Sequence, residues 1–176
     1  SGIGHDLLHL FLYNNNIKII GTYYKNNIKL KRKNLLIKKI NIEKNLKQVF
    51  HIIKNFHPLN IYYFPTPKIE DGTKNSKLIK LYHKYYITLP IRIIKYANNY
   101  KSNFFYPSTI FVETKCLSAY ASVKLKAEKD IKTLNSNFEE VIFQIDELKG
   151  LYEEINIKID IHLINKIKET ETSEIS

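Results

Sequence analysis

Two stretches near the middle of the chain decide the fold: Phe104-Phe-Tyr-Pro-Ser-Thr-Ile-Phe-Val-Glu113 and Ser118-Ala-Tyr-Ala-Ser-Val-Lys-Leu-Lys-Ala-Glu-Lys129. The first contains an apolar run of β type, 104–112, that carries a hydroxyl at Ser108. In the second, Val123, Ala127 and Ile131 recur at four-residue spacing, which predicts a helix over 119–134. On that helix Tyr120 precedes Lys124 by one turn, so both side chains share a face. An ammonium beside a phenol stabilises the phenolate and makes the tyrosine usable as an acid or base near neutral pH. The spacing by itself is weak, because 13 tyrosines in a lysine-rich chain give about two Tyr-x-x-x-Lys matches by chance. Its context is stronger: a strand end that delivers a serine, then a helix that carries Tyr and Lys, can polarise a substrate oxygen. The plain alternative is a packing tyrosine and a solvated lysine.

Outward from this centre the chain alternates. Residues 6–13 read as a helix with an apolar stripe of Leu7, Leu8, Phe11 and Leu12, broken by Asn14-Asn-Asn16. Residues 17–24 and 35–42 read as strands, the first of the near-continuous apolar kind that parallel sheets use. Helical spacing through Val49, Ile52, Ile53 and Phe56 covers 46–56 and stops at His57-Pro58, after which 61–64 is a third strand. Pro65-Thr-Pro67 leaves the sheet and 69–76 is a loop. Residues 78–97 are helical despite Pro90, which opens a new helix or kinks one. A further strand is expected at 140–145. This order predicts an α/β fold: a doubly wound parallel sheet of Rossmann type in three α/β/α layers, with function at the carboxyl ends of its strands. Ser108 and Pro65-Thr-Pro67 fall on that side. At 176 residues the chain has room for one domain, taken as 1–150, with 151–176 as a partly frayed C-terminal extension.

Composition narrows the setting. Cys116 is the single cysteine, which excludes an intrachain disulfide and a zinc–thiolate cluster and favours a reducing cytoplasm. No apolar run approaches the ~20 residues that span a bilayer, and the start lacks a signal peptide's regions, so a soluble chain with no membrane partner is expected. The formal charge of +11 is what a basic nucleic-acid-binding module would carry. Lysine, asparagine and isoleucine are all abundant, however, as AT-rich coding alone would make them. The densest cluster, Lys29-Leu-Lys-Arg-Lys33, has no aromatic or glycine-rich RNA-binding signature and reads as a solvated loop between strands. His5 and His9 are one turn apart with no third ligand, so no metal is assigned. The acids show no paired-carboxylate spacing, and there is neither a Gly-x-Ser-x-Gly elbow nor a Walker A loop. The tyrosine pairs at 23–24, 62–63 and 85–86 read as rings packed under helices or at a subunit interface, hence a possible homo-oligomer.

The chain opens on Ser1-Gly-Ile-Gly4, immediately before its first helix. Glycines at such a turn let a dinucleotide pyrophosphate approach the backbone at a helix amino terminus. Together with Ser108, Tyr120 and Lys124 in this order, the turn resembles the short-chain dehydrogenase/reductase family over residues 1 to about 150. Ser1-Gly-Ile-Gly4 is similar to the end of that family's glycine turn, and the chain reads as a piece whose opening strand lies upstream. The resemblance implies an NAD(P)-dependent oxidoreductase acting on a hydroxyl or carbonyl of a small substrate, a sugar derivative among the candidates. Tyr120 would exchange the proton, Lys124 would lower its pKa and hold the nicotinamide ribose, and Ser108 would bind the substrate oxygen, with Thr109 as a substitute. Gly2, Ile3 and Gly4 would meet the cofactor phosphates, and Tyr24 and Lys25 its adenosine side. No acid lies between Asp6 and Glu43 to bind a ribose 2′-hydroxyl, which favours NADP, with NAD as the alternative. The interval of 12 residues from Ser108 to Tyr120 is close to the family's plain oxidoreductases, whereas Phe105-Tyr-Pro-Ser-Thr109 is similar to its nucleotide-sugar epimerases and dehydratases. Two departures keep a non-catalytic, degenerate fragment as an alternative: Phe64-Pro-Thr-Pro67 replaces the family's Asn-Asn-Ala-Gly, and no asparagine occurs between Ser76 and Ala97.

Overall fold

The structure, a computed structural model, describes residues 3–26, 29–69, 76–107 and 118–134. Two short parallel pairs of strands are surrounded by helices. In order, α1 is Ile3–Leu12, β1 is Ile19–Tyr23, β2 is Leu35–Lys39, α2 is Leu46–Phe56 and β3 is Asn60–Tyr62. A long helical segment follows, made of α3 (Ser76–His83), a π-helical turn (Lys84–Thr88) and α4 (Leu89–Ala97). Then come β4, Asn103–Phe105, and α5, Ala119–Leu134. The α/β alternation expected from the sequence is present, and α2 and α5 fall where their apolar spacing places them. The expected strands at 17–24, 35–42 and 61–64 are each shorter than predicted, and α1 begins earlier. Most of 104–112 and the strand expected at 140–145 lie outside the described residues.

β1 and β2 pair in parallel from Ile19 opposite Leu35 to Tyr23 opposite Lys39, and β3 and β4 from Asn60 opposite Asn103 to Tyr62 opposite Phe105. Among the described residues these form two separate two-stranded sheets, not one continuous sheet. α1 touches both. A side chain added at Gly21 on β1 would meet Leu8, and the Phe11 ring lies 5.1 Å from that of Tyr62 on β3. Local polar contacts start each pair. Asn34 Nδ2 donates to the Ile17 carbonyl at 2.9 Å, tying the basic loop, whose cations are exposed, to the entry of β1. Ser102 Oγ donates to the Pro58 carbonyl at 2.6 Å, and the Asn103 amide to that of Leu59 at 2.7 Å. His57 ends α2 in the left-handed region at φ 49°, donating its amide to Ile53; Pro58 after it cannot continue a helix.

The core sits around residues 76–97. Tyr82, Tyr86, Ile87, Leu89, Ile93, Ile94 and Ala97 are buried against Leu46 and Ile53 of α2, Phe104 of β4, and Ala119, Val123, Ala127 and Ile131 of α5. Phe50 stacks on Tyr96 with ring centres 4.4 Å apart. Pro90 causes the π-helical turn ahead of it. Lacking an N–H, it can serve neither the carbonyl four residues back nor the one five residues back. Both carbonyls accept phenols instead: Tyr63 Oη donates to Tyr85 O at 2.6 Å, and Tyr106 Oη to Tyr86 O at 3.1 Å. Among the described residues, no helix is long and apolar enough to cross a membrane.

Candidate functional site

Ser118 directly precedes α5, and its hydroxyl accepts the amide N–H of Ala121 at 3.0 Å, the geometry of a helix cap. Ala119, Ala121 and Ala127 are at most 2 % exposed. Their small side chains let the helix lie close to residues 76–97, and this closeness determines what Tyr120 and Lys124 touch.

Tyr120 is half-buried. Its ring stands edge-on to Tyr82 and to Tyr86, with centres 5.9 and 5.4 Å apart at 78° and 75°. One turn later Lys124 is 2 % exposed. Its ammonium donates to the carbonyl oxygen of Pro107 and lies over two ring faces, 4.2 Å from the centre of Tyr106 and 4.9 Å from that of Tyr86. Aromatic faces attract a cation through their quadrupole, but burial removes the ammonium's water. That desolvation brings the Lys124 pKa down to about 7, against an upward pull from the Glu128 carboxylate. The sequence reading of a solvated lysine does not apply to this residue.

The surrounding phenols stay neutral. Burial raises the pKa of Tyr106, Tyr86 and Tyr63 well above the ordinary phenol value, and raises Tyr85 to about 12, helped by the Glu43 carboxylate beside it. Tyr86 has one further partner: its hydroxyl is 2.5 Å from Thr66 Oγ1. Thr66 lies beyond the carboxyl end of β3, and Tyr106 and Pro107 directly follow β4. Helix, π turn and two strand ends therefore converge on Lys124 and Tyr86, as parallel α/β architecture favours.

The other expected residues divide. Ser108, Thr109 and Gly2 lie outside the described residues. Gly4 is in α1, where an added Cβ would stand 2.9 Å from Phe64 Cδ2. Its lack of a side chain lets the helix start pack on the segment that carries Thr66. Tyr24 and Lys25 are exposed just past the carboxyl end of β1. Beside that region Glu43 Oε1 pairs with Lys84 Nζ at 2.9 Å, and the hydrogen bond from Lys84 holds the Glu43 carboxyl below the usual carboxylate range. His5 and His9 face one another with Nε2 atoms 3.2 Å apart, and no group of three metal-ligating side chains occurs among the described residues. Sequence patterns alone do not mark Tyr86, Tyr106 and Thr66 as site residues. The only signals were the Tyr85-Tyr86 pair ahead of Pro90 and the Phe64–Pro67 departure.

No family model matches the chain, and no curated protein is significantly similar to it in sequence. Solved structures share its fold. The Bordetella bronchiseptica enzyme WbmH, in complex with NAD+, superposes with a TM-score of 0.64 at 16% identity, over 82% of this chain and 52% of that one. A monomeric L-threonine 3-dehydrogenase from a metagenome, in its apo form, gives 0.63 at 21% identity, over 82% and 49%. The chain thus spans about half the length of these structures. At such identities the likeness is one of fold, and at that level the resemblance found in the sequence holds: this is an α/β chain with a Rossmann-like backbone.

Proposed function

We propose that the chain is the nucleotide-binding half of an NAD(P)-dependent oxidoreductase of the short-chain type, acting on a hydroxyl or carbonyl of a small substrate. The observation that carries this is the placement of Lys124: a cation held at the carboxyl end of β4, one helical turn from a half-buried tyrosine. A dinucleotide bound there would carry the hydride. Tyr120 would pass a proton to or from the substrate oxygen, and the Lys124 cation would favour its phenolate through the field it sets up. Near neutral pH Lys124 stands close to its own midpoint, so the strength of that field varies with pH. Ser108, the third residue after β4, would bind the substrate oxygen. The helix start at Gly4 and the exposed Tyr24 and Lys25 would face the phosphates and the adenosine.

A nucleotide-sugar epimerase or dehydratase is the second reading, favoured by Phe105-Tyr-Pro-Ser-Thr109 and by the fold shared with WbmH. Both readings need a nicotinamide cofactor. Fluorescence titration with NADPH and NADH tests this requirement: saturable binding that is weakened by Lys124→Ala is expected, and no binding of either cofactor removes both readings.

A further inference from the structure

Helix 76–97 carries the widest departure from the expected site, because no asparagine stands in it. The backbone is irregular at the place that faces α5, and the residue presented there is Tyr86. It is 4 % exposed. One face of its ring lies under the Lys124 ammonium at 4.9 Å, and the Tyr120 ring meets it at 75°. Its carbonyl is held by Tyr106, the residue that supplies the other aromatic face for Lys124. Its hydroxyl is held by Thr66 at 2.5 Å, and Thr66 is exposed on the segment after β3. Tyr86 therefore touches both residues assigned to the chemistry, and the residue is anchored at its backbone carbonyl and at its hydroxyl.

We propose that the Thr66–Tyr86 hydroxyl pair is the positioning element of this site, fixing the ring that sets Lys124 against Tyr120. The proposal rests on the oxidoreductase reading for its purpose but not for its geometry. A phenol tied at its hydroxyl cannot swing about χ1, and the Tyr82 and Tyr120 rings packed against it limit rotation about χ2, so the cation seat and the edge contact with Tyr120 stay in register. Without the tie the ring keeps its volume but loses its fixed direction, and water gains access to the ammonium. Supporting shells of this kind hold reacting groups within fractions of an ångström of their working geometry. The π-helical turn fits the same role, because such turns gather at functional sites.

The test separates positioning from bulk. Tyr86→Phe removes only the hydroxyl, and Thr66→Val keeps the shape of Thr66 without its Oγ1. In protein labelled at lysine Cε and tyrosine Cζ, the Lys124 resonance is assigned with Lys124→Arg and the Tyr120 resonance with Tyr120→Phe, and both are followed by NMR against pH. Among the described residues, the charged and titratable groups around Lys124 include Tyr120 and Glu128 on its own helix, Tyr86 on the opposing segment and Tyr106 after β4. Each single variant is expected to move the Lys124 midpoint upward, roughly threefold or more in dissociation constant, and to displace the Tyr120 signal. The double variant should do no more than either single one, as coupled partners behave. Unmoved Lys124 and Tyr120 signals in a folded Tyr86→Phe variant, or effects of the two variants that simply add, would overturn the proposal. NADPH and NADH titrations of the same samples keep the two ideas distinct. Coupling without cofactor binding leaves the positioning pair standing and sinks the oxidoreductase reading, and cofactor binding without coupling does the reverse.

Discussion

The ammonium of Lys124 lies 4.2 Å from the centre of the Tyr106 ring, and the hydroxyl of that same ring closes the Tyr86 carbonyl left open by Pro90. One tyrosine thus repairs a helix and seats a cation, so the stability of the core and the charge of the site depend on the same contacts.

Lys124 should make stability rise with pH above neutrality. Its folded pKa, about 7, is below the unfolded value of 10.5, so between these values the unfolded chain binds more protons. The penalty for burying the ammonium is full below about pH 7 and is relieved toward pH 10. Above pH 10 the raised pKa values of Tyr63, Tyr86 and Tyr106 act in the opposite sense, because the unfolded chain loses phenolic protons first. Urea denaturation across pH 6 to 11 should show a maximum near pH 10. In Lys124→Met the rise from neutral pH should vanish.

Tyr120→Phe should remove turnover, by about 10²–10⁴-fold for a lost general acid or base. Fold and cofactor affinity should stay nearly intact, since the phenyl ring keeps its edge contacts with Tyr82 and Tyr86. Lys124→Ala should weaken both turnover and cofactor binding. Full activity in Tyr120→Phe, measured by nicotinamide absorbance, ends the catalytic assignment.

NADPH is expected to bind more tightly than NADH. Tyr24 and Lys25 are exposed past β1, with Lys31 and Arg32 in the loop that follows. Glu43, the first acid after Asp6, is already paired with Lys84. Lys25→Ala combined with Arg32→Ala should cost NADPH roughly tenfold in affinity, the equivalent of one charge-assisted hydrogen bond. Tighter binding of NADH at the same ionic strength, or unchanged NADPH affinity in the double variant, counts against the assignment.

Tyr63→Phe should destabilise the fold by about 1–3 kcal/mol, because it leaves the Tyr85 carbonyl without its 2.6 Å donor inside the core. Pro90→Ala restores an amide N–H at that helical position. In that background the cost of Tyr63→Phe should shrink. An equal cost with and without Pro90, by urea denaturation, would show that the phenol does not substitute for the missing N–H.

Gly4→Ala should also destabilise, by about 1–3 kcal/mol as overpacking does, since the new Cβ meets the Phe64 ring at 2.9 Å. Phe64→Leu in the same chain should recover part of the loss. Thermal melts of the wild type, the two single variants and the double variant would check this, and no recovery would mean that the glycine serves another purpose.

The order of elements among the described residues was legible in the sequence, because periodicity of 3.6 or 2 and the breaks at Asn14-Asn-Asn16 and His57-Pro58 act locally. Leu46–Phe56 and Ala119–Leu134 stand where their apolar spacing puts them. The sequence also showed that Tyr120 and Lys124 share a helix face and that Pro90 disturbs its helix. Tertiary structure alone decided what that face meets. Lys124, read as able to be solvated, is buried because alanines bring α5 within reach of Tyr86 and because β4 delivers Tyr106 and Pro107 beneath it. The Thr66–Tyr86 bond joins residues 20 positions apart, and the phenols that close the Tyr85 and Tyr86 carbonyls come from after β3 and β4. No local pattern encodes such pairings. They arise when the strands and helices pack, since a buried polar group must then find a partner wherever the fold has brought one.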